Sequence, residues 1–150
     1  MRIALDTNVL VYAEGVSTEE RQTAARALIA ALAEHELVLP VQAAGELFNV
    51  LVRKDGRTPA EARAMVRAWT DALEVVGTGS KTFEAATDLA DRRRLQIWDA
   101  VILAAAVEAT CDLLLSEDLQ DGFVWRGVTV ANPFKAELHP LLADLLEARG

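Results

Sequence analysis

The chain has 150 residues, the size of one domain, and 52% of them are apolar, enough for one hydrophobic core. Charged residues make up 25%, which together with the apolar content excludes disorder, collagen-like repeats and low-complexity sequence. The net charge of −8 argues against a basic nucleic-acid coat protein, but not against a nuclease, whose metal-holding carboxylates count as negative until a cation binds.

The order of elements begins with a short apolar run, residues 2–5, that stops at Asp6-Thr7-Asn8 and reads as a strand and a turn. A helix can start at Asn8. Ser17 and Glu20 form a capping box, and a helix should follow to about Glu34, with Ala24, Leu28, Ala31 and Leu32 on its apolar face. Residues 37–39 read as a second strand. Pro40 suits the first turn of a helix that runs to about Lys54. Thr58, Pro59 and Glu61 start another helix, to about Ala72, in the same capping-box manner. A third strand covers 74–76, and Ser80 caps a helix ending in Arg92-Arg93-Arg94. A further helix covers 98–109, followed by strands at 112–115 and 128–131. In the tail, 135–150, Leu138, Leu141, Leu142, Leu145 and Leu146 repeat at helical spacing and predict an amphipathic helix.

Short apolar strands alternating with helices predict an α/β fold, a parallel sheet covered on both faces, in one domain over 1–150. The longest apolar run, 100–107, is too short to cross a bilayer, and Asp6 interrupts any signal-peptide core. The single cysteine, Cys111, cannot form an internal disulfide, which fits a reducing cytoplasm.

In parallel α/β sheets, ligands bind outside the carboxyl ends of the strands. Asp6 follows the first strand there, and Ser116, Glu117, Asp118 and Asp121 follow the fourth. No basic residue lies within three positions of Asp6 or Asp118. Asp99 is the one charged residue between Arg94 and Glu108, and an unpartnered carboxylate among Trp98, Ala100 and Val101 is costly to bury. Glu46 lies on a helix whose apolar face carries Ala44, Phe48, Leu51 and Val52. Gln42, Glu46, Asn49 and Arg53 form a polar stripe on another side, which aims Glu46 at Asp6 if it faces the strand edge.

Carboxylates gathered in one pocket repel each other unless a cation intervenes. Oxygen-only donors favour Mg²⁺ or Mn²⁺ over zinc, and His35, His139 and Cys111 show no ligand spacing. Each acid also has a simpler role. Asp6 and Asp99 can cap helices, Glu46 can be a solvated helix residue, and Ser116-Glu117-Asp118 can be a capped turn.

Leu5-Asp6-Thr7-Asn8-Val9-Leu10 resembles the opening motif of the PIN-domain ribonucleases. Glu46 in Gly45-Glu46-Leu47-Phe48-Asn49, Asp99 in Trp98-Asp99-Ala100, and Asp118 in Leu114-Leu115-Ser116-Glu117-Asp118 match the family's three further acidic positions in order and spacing. The resemblance covers residues 2–134 and is nearest to the VapC-like toxins of type II toxin–antitoxin pairs. It implies a five-stranded parallel sheet flanked by helices, and metal-dependent endonucleolytic cleavage of RNA without a covalent enzyme intermediate. Asp6, Glu46, Asp99 and Asp118 would gather Mg²⁺ or Mn²⁺, with Asn8 and Ser116 holding the carboxylates in place. Glu117 or Asp121 could join or replace Asp118.

The resemblance also implies a homodimer, a cytoplasmic location, and an antitoxin whose basic segment fits an acidic groove. The tail helix could pack on the body, or serve dimerisation or antitoxin binding. Arg92, Arg93 and Arg94, or Arg53, Lys54 and Arg57, could hold RNA phosphates or could complement the negative ends of two helices. Competing readings are a non-catalytic PIN-like binding module and a haloacid dehalogenase-like phosphatase with Asp6 as nucleophile. The latter needs an aspartate where Asn8 stands. A phosphorylated receiver domain lacks a suitably placed lysine after a late strand.

Overall fold

The computed structural model describes residues 1–148, with six strands and seven helices among them. The last two residues of the predicted tail segment lie outside the described residues. The chain runs β1 (Arg2–Leu5), α1 (Thr7–Ala13), α2 (Glu19–Ala31), β2 (Glu36–Pro40), α3 (Val41–Arg53), α4 (Pro59–Ala72), β3 (Glu74–Val76), α5 (Ser80–Arg93), α6 (Ile97–Glu108), β4 (Leu113–Leu115), β5 (Val124–Trp125), β6 (Val128–Ala131) and α7 (Pro140–Glu147).

The strands form one sheet in the order β3-β2-β1-β4-β6-β5. The five predicted strands all form and pair in parallel. The sixth, β5, was not anticipated and pairs antiparallel with β6. Its hairpin turn puts Arg126 at φ 47° and Gly127 at φ 88°. Two successive residues at positive φ match a tight primed turn, here built on Arg-Gly instead of the usual Asn-Gly.

Apolar residues fill β1, β4 and β6, and Ile3, Leu5, Leu113, Leu114 and Leu115 are wholly buried. Helices cover both faces, so neither face of these central strands meets water. Helix α6 is the most deeply set, with seven consecutive buried residues from Ala100 to Ala106. Leu142 of α7 also joins the core, so the predicted tail helix packs on the body.

Local capping differs from the sequence expectation at several points. Thr18, not Ser17, caps α2 by accepting from the Arg21 amide, and α2 ends at Ala31 instead of Glu34. Pro40 closes β2 and stands just before α3 instead of inside its first turn. Gly79 precedes α5, and Ser80 is its first helical residue without a side-chain cap. The Thr58–Glu61 box forms as expected, Thr58 Oγ1 accepting from the Glu61 amide at 3.1 Å. On α3 the buried set is Ala43, Ala44, Leu47 and Leu51, whereas Phe48 is exposed instead of facing the core.

The site's location follows from the topology. From β1 the chain builds outward through β2 and β3, and β4 starts the other half on β1's opposite side. The carboxyl ends of β1 and β4 therefore flank the switch point, where parallel α/β sheets open a crevice.

Candidate metal centre

Asp6 is the residue after β1 and the N-cap of α1. The cap role expected of Asp6 is present, and its second oxygen faces the turn after β4. Its Oδ1 accepts from the Thr7 amide at 2.7 Å, as a cap should. Its Oδ2 accepts from Ser116 Oγ at 2.6 Å and from Asn8 Nδ2 at 3.4 Å. Only 2% of Asp6 is exposed.

Ser116 follows β4 directly and is wholly buried. Its hydroxyl accepts from the amides of Asp118 at 3.2 Å and Leu119 at 3.4 Å while donating to Asp6. One hydroxyl thus ties the β4 turn to the carboxylate after β1. Asn8 spans the same gap, donating also to Asp118 Oδ2 at 3.2 Å. Both residues are thus hydrogen-bonded to carboxylates at this edge, Ser116 to Asp6 and Asn8 to Asp6 and Asp118.

Asp99 is the third residue of α6, not its N-cap. Gln96 occupies the cap position and no side chain caps the helix. The Asp99 carboxylate has no hydrogen-bond partner among the described residues. The deep burial of α6 presses its first turn against the strand ends, and the amino-terminal helix dipole gives Asp99 only partial compensation.

Asp6, Asp99 and Asp118 each bring one carboxylate oxygen to a point where all three lie within 4.8 Å of one another. The three grade from buried through half-buried to exposed. Burial, joined by the charges of Asp99 and Asp118 and opposed by the hydrogen bonds from Ser116 and Thr7, pushes the Asp6 carboxyl up to about 7. Burial likewise raises Asp99 to about 6, with repulsion from Asp118 and Glu46 adding to it. Among the described residues, no lysine or arginine pairs with any of these acids. Such a set is held together by a proton or by a cation. Hard oxygen donors with a solvent-facing member suit a divalent ion that keeps some of its waters.

Glu46 lies beside this trio rather than in it. Its Oε2 accepts from Thr7 Oγ1 at 2.7 Å and its Oε1 from Gln42 Nε2 at 3.0 Å. It lines the same groove, of about 790 Å³, as Thr7, Asn8, Asp99 and Asp118. The contact through Thr7 was not legible in the sequence, although Gln42 stood on the stripe that carries Glu46.

The other acids after β4 are occupied. Glu117 Oε1 accepts from Tyr12 Oη at 2.6 Å and pairs with Arg21 at 3.0 Å, while Arg21 also donates to Tyr12. Asp121 accepts from the Asn132 amide at 2.8 Å and from Lys135 at 3.1 Å, contacts that hold its carboxyl below the usual range. Neither joins the cluster of Asp6, Asp99 and Asp118. Of the basic clusters, Arg92 and Arg93 lie in the last turn of α5, and Arg93 stacks on Phe123. Arg57 pairs with Asp55 at 2.8 Å. Lys54, not Arg53, lines the groove.

The model of the PIN domain family matches residues 3–121. The chain belongs to the PIN domain family. Its fold is shared with solved VapBC, VapC and FitAcB structures at low sequence identity. The DNA-bound VapBC complex from Salmonella typhimurium aligns with TM-score 0.64 at 16% identity, covering 87% of this chain and 96% of that one. VapC20 of Mycobacterium tuberculosis, a sarcin–ricin-loop-cleaving toxin, aligns at 0.62 and 17%, covering 77% and 89%. FitAcB from Neisseria gonorrhoeae aligns at 0.62 and 15%, covering 88% and 98%. No curated protein matches the sequence. In this PIN domain, the acids singled out by motif stand at the switch point that the topology creates.

Proposed function

We propose that this chain is a divalent-metal-dependent endoribonuclease, the toxin of a type II toxin–antitoxin pair. The observation that carries the reading is the trio Asp6, Asp99 and Asp118, with ligand oxygens within 4.8 Å of one another and no basic partner. PIN family membership and the fold shared with VapC-type toxins support the substrate class and the toxin assignment.

Asp6, Asp99 and Asp118 would hold Mg²⁺ or Mn²⁺, with Glu46 at the same groove as a fourth acid. When bound, such an ion supplies Lewis-acid polarisation of a phosphodiester oxygen and a nucleophilic water near neutral pH. The protein's own part is to hold its acids in place. Ser116 and the Thr7 amide fix both oxygens of Asp6, Asn8 sets Asp118 against it, and Thr7 and Gln42 orient Glu46. Such outer hydrogen bonds aim the ligand lone pairs and keep the site from collapsing on itself.

The partner is a cognate antitoxin, as in the VapBC and toxin–antitoxin complexes that share the fold. A homodimer and a cytoplasmic location belong to the same reading. No described helix is long and apolar enough to cross a membrane. The described residues form one unit in this reading.

RNA cleavage with Mn²⁺ or Mg²⁺, with chelator, and in Asp99→Asn tests the proposal. Cleavage that requires the ion and disappears in a folded Asp99→Asn variant is expected. No metal-induced stabilisation and no cleavage would leave a PIN-like binding module instead.

A further inference from the structure

The groove beside the acid trio has a second chemical end. Glu46, Asn49, Val50 and Lys54 all line it, and they follow one another on a single face of α3 and its cap. Eight residues of helix separate Glu46 from Lys54, an axial distance of about 12 Å. The opposite wall is apolar at Val11 and Val16.

Lys54 is the only basic residue lining the groove, and its ammonium has no ion pair or hydrogen bond among the described residues. Several other basic residues are committed to acids, Arg21 to Glu117, Arg57 to Asp55 and Lys135 to Asp121. Glu46 stands about two helical turns from Lys54 along α3, and no groove acid forms an ion pair with Lys54 among the described residues. The groove therefore presents cation-seeking oxygens at one end and an uncommitted cation at the other. An extended polyanion of regular charge spacing satisfies both ends once a divalent ion occupies the first.

We propose that Lys54 grips a backbone phosphate of single-stranded RNA, one or two nucleotides from the phosphodiester that lies at the acid trio, and so fixes where along the groove the strand sits. The inference rests on the nuclease reading and adds a substrate-binding residue to it. Lysine suits this role as a point charge, since backbone phosphates change orientation from one sequence to the next. The contact is blind to sequence and belongs to the salt-dependent part of affinity.

The test is equilibrium binding of a labelled single-stranded homopolymer RNA by fluorescence anisotropy, with Ca²⁺ present so that the strand is not cut. The intact chain, Lys54→Gln and Lys54→Arg are compared across a salt series. Lys54→Gln should bind roughly three- to tenfold more weakly, and its log–log salt slope should be shallower by about 0.7, the share of one phosphate on a single strand. Lys54→Arg should restore both. A neutral methylphosphonate placed at successive linkages should weaken binding to the intact chain at one position, and there leave Lys54→Gln unaffected. Equal affinity and equal slope in Lys54→Gln would overturn the role of Lys54 while leaving the nuclease reading standing. No binding of RNA by the intact chain with the ion present would overturn both.

Discussion

The two ends of the sheet each gather three acids around one point and treat them in opposite ways. At the amino ends of the strands, Arg2 gathers its neighbours. Its guanidinium donates to both oxygens of Glu74 at 2.9 and 3.2 Å, reaches Glu36 at 3.6 Å and donates to the Ala109 carbonyl at 2.9 Å. Its amide takes Asp112 at 2.9 Å. At the carboxyl ends, Asp6, Asp99 and Asp118 converge with no basic side chain among them. Glu74 is held below its ordinary pKa by Arg2, whereas burial drives Asp6 and Asp99 above theirs. A carboxylate is structural where the chain supplies its counter-charge, and available for chemistry where the chain withholds it.

The largest expected effect breaks the carboxyl end. Asp99→Asn should lower metal-dependent RNA cleavage by about a thousandfold or more, while circular dichroism and Tm show an intact fold. Glu46→Gln should cost less than Asp99→Asn in the same assay, because Glu46 stands outside the trio. An equal loss would move Glu46 into the first set of ligands.

Metal should reveal the same asymmetry without mutation. A hundredfold excess of Mn²⁺ over its Kd should raise Tm by about 5–10 °C. The rise should vanish in Asp99→Asn and survive in Arg2→Met.

The pH dependence sharpens the comparison further. Asp6 titrates at about 7 in the fold against 3.8 ordinarily. Its neutral form is favoured on folding, so its contribution to stability is fully present below about pH 4 and is lost as pH rises through about 7. Metal-free Asp6→Asn should therefore melt above the intact chain at pH 8, by several degrees. That gap should close toward pH 4 and reverse when Mn²⁺ is added. Glu74 has the opposite sign: its depressed pKa stabilises above the ordinary value and fades as pH falls. The smallest effect is at the amino end, where Arg2→Met should lower Tm by a few degrees and leave cleavage unchanged.

Most of this frame was legible in the residues. Apolar runs located the five parallel strands, and the switch-point rule brought Asp6 and the Ser116–Asp118 turn to one edge. Asp99 was harder. Spacing alone cannot say which way the first turn of α6 faces, and its isolation in an apolar stretch suited a cap as well as a ligand. In the fold Gln96 takes the cap position, and packing of α6 between α5 and the sheet brings Asp99 beside Asp6 and Asp118. Strand β5 escaped because a two-residue strand has no periodicity to detect. The Tyr12–Glu117–Arg21 cluster escaped because its members are 96 and 105 positions apart in the contacts that bind them. On α3, the polar stripe was followed through Asn49 to Arg53, whereas the apolar Val50 sits between Glu46 and Lys54 on the face that lines the groove.

Short outer strands have a consequence for how this protein can associate. On one flank the sheet ends in three residues, Glu74–Val76, and on the other in two, Val124–Trp125, with Arg126 folded over the Trp125 ring. So few free backbone groups give an incoming polypeptide almost nothing to zip onto. Recruitment of another chain by sheet extension is thereby disfavoured, and so is runaway stacking of copies into fibres. Recognition of a protein partner then falls to side chains away from the sheet edges, which differ from protein to protein as the common backbone does not.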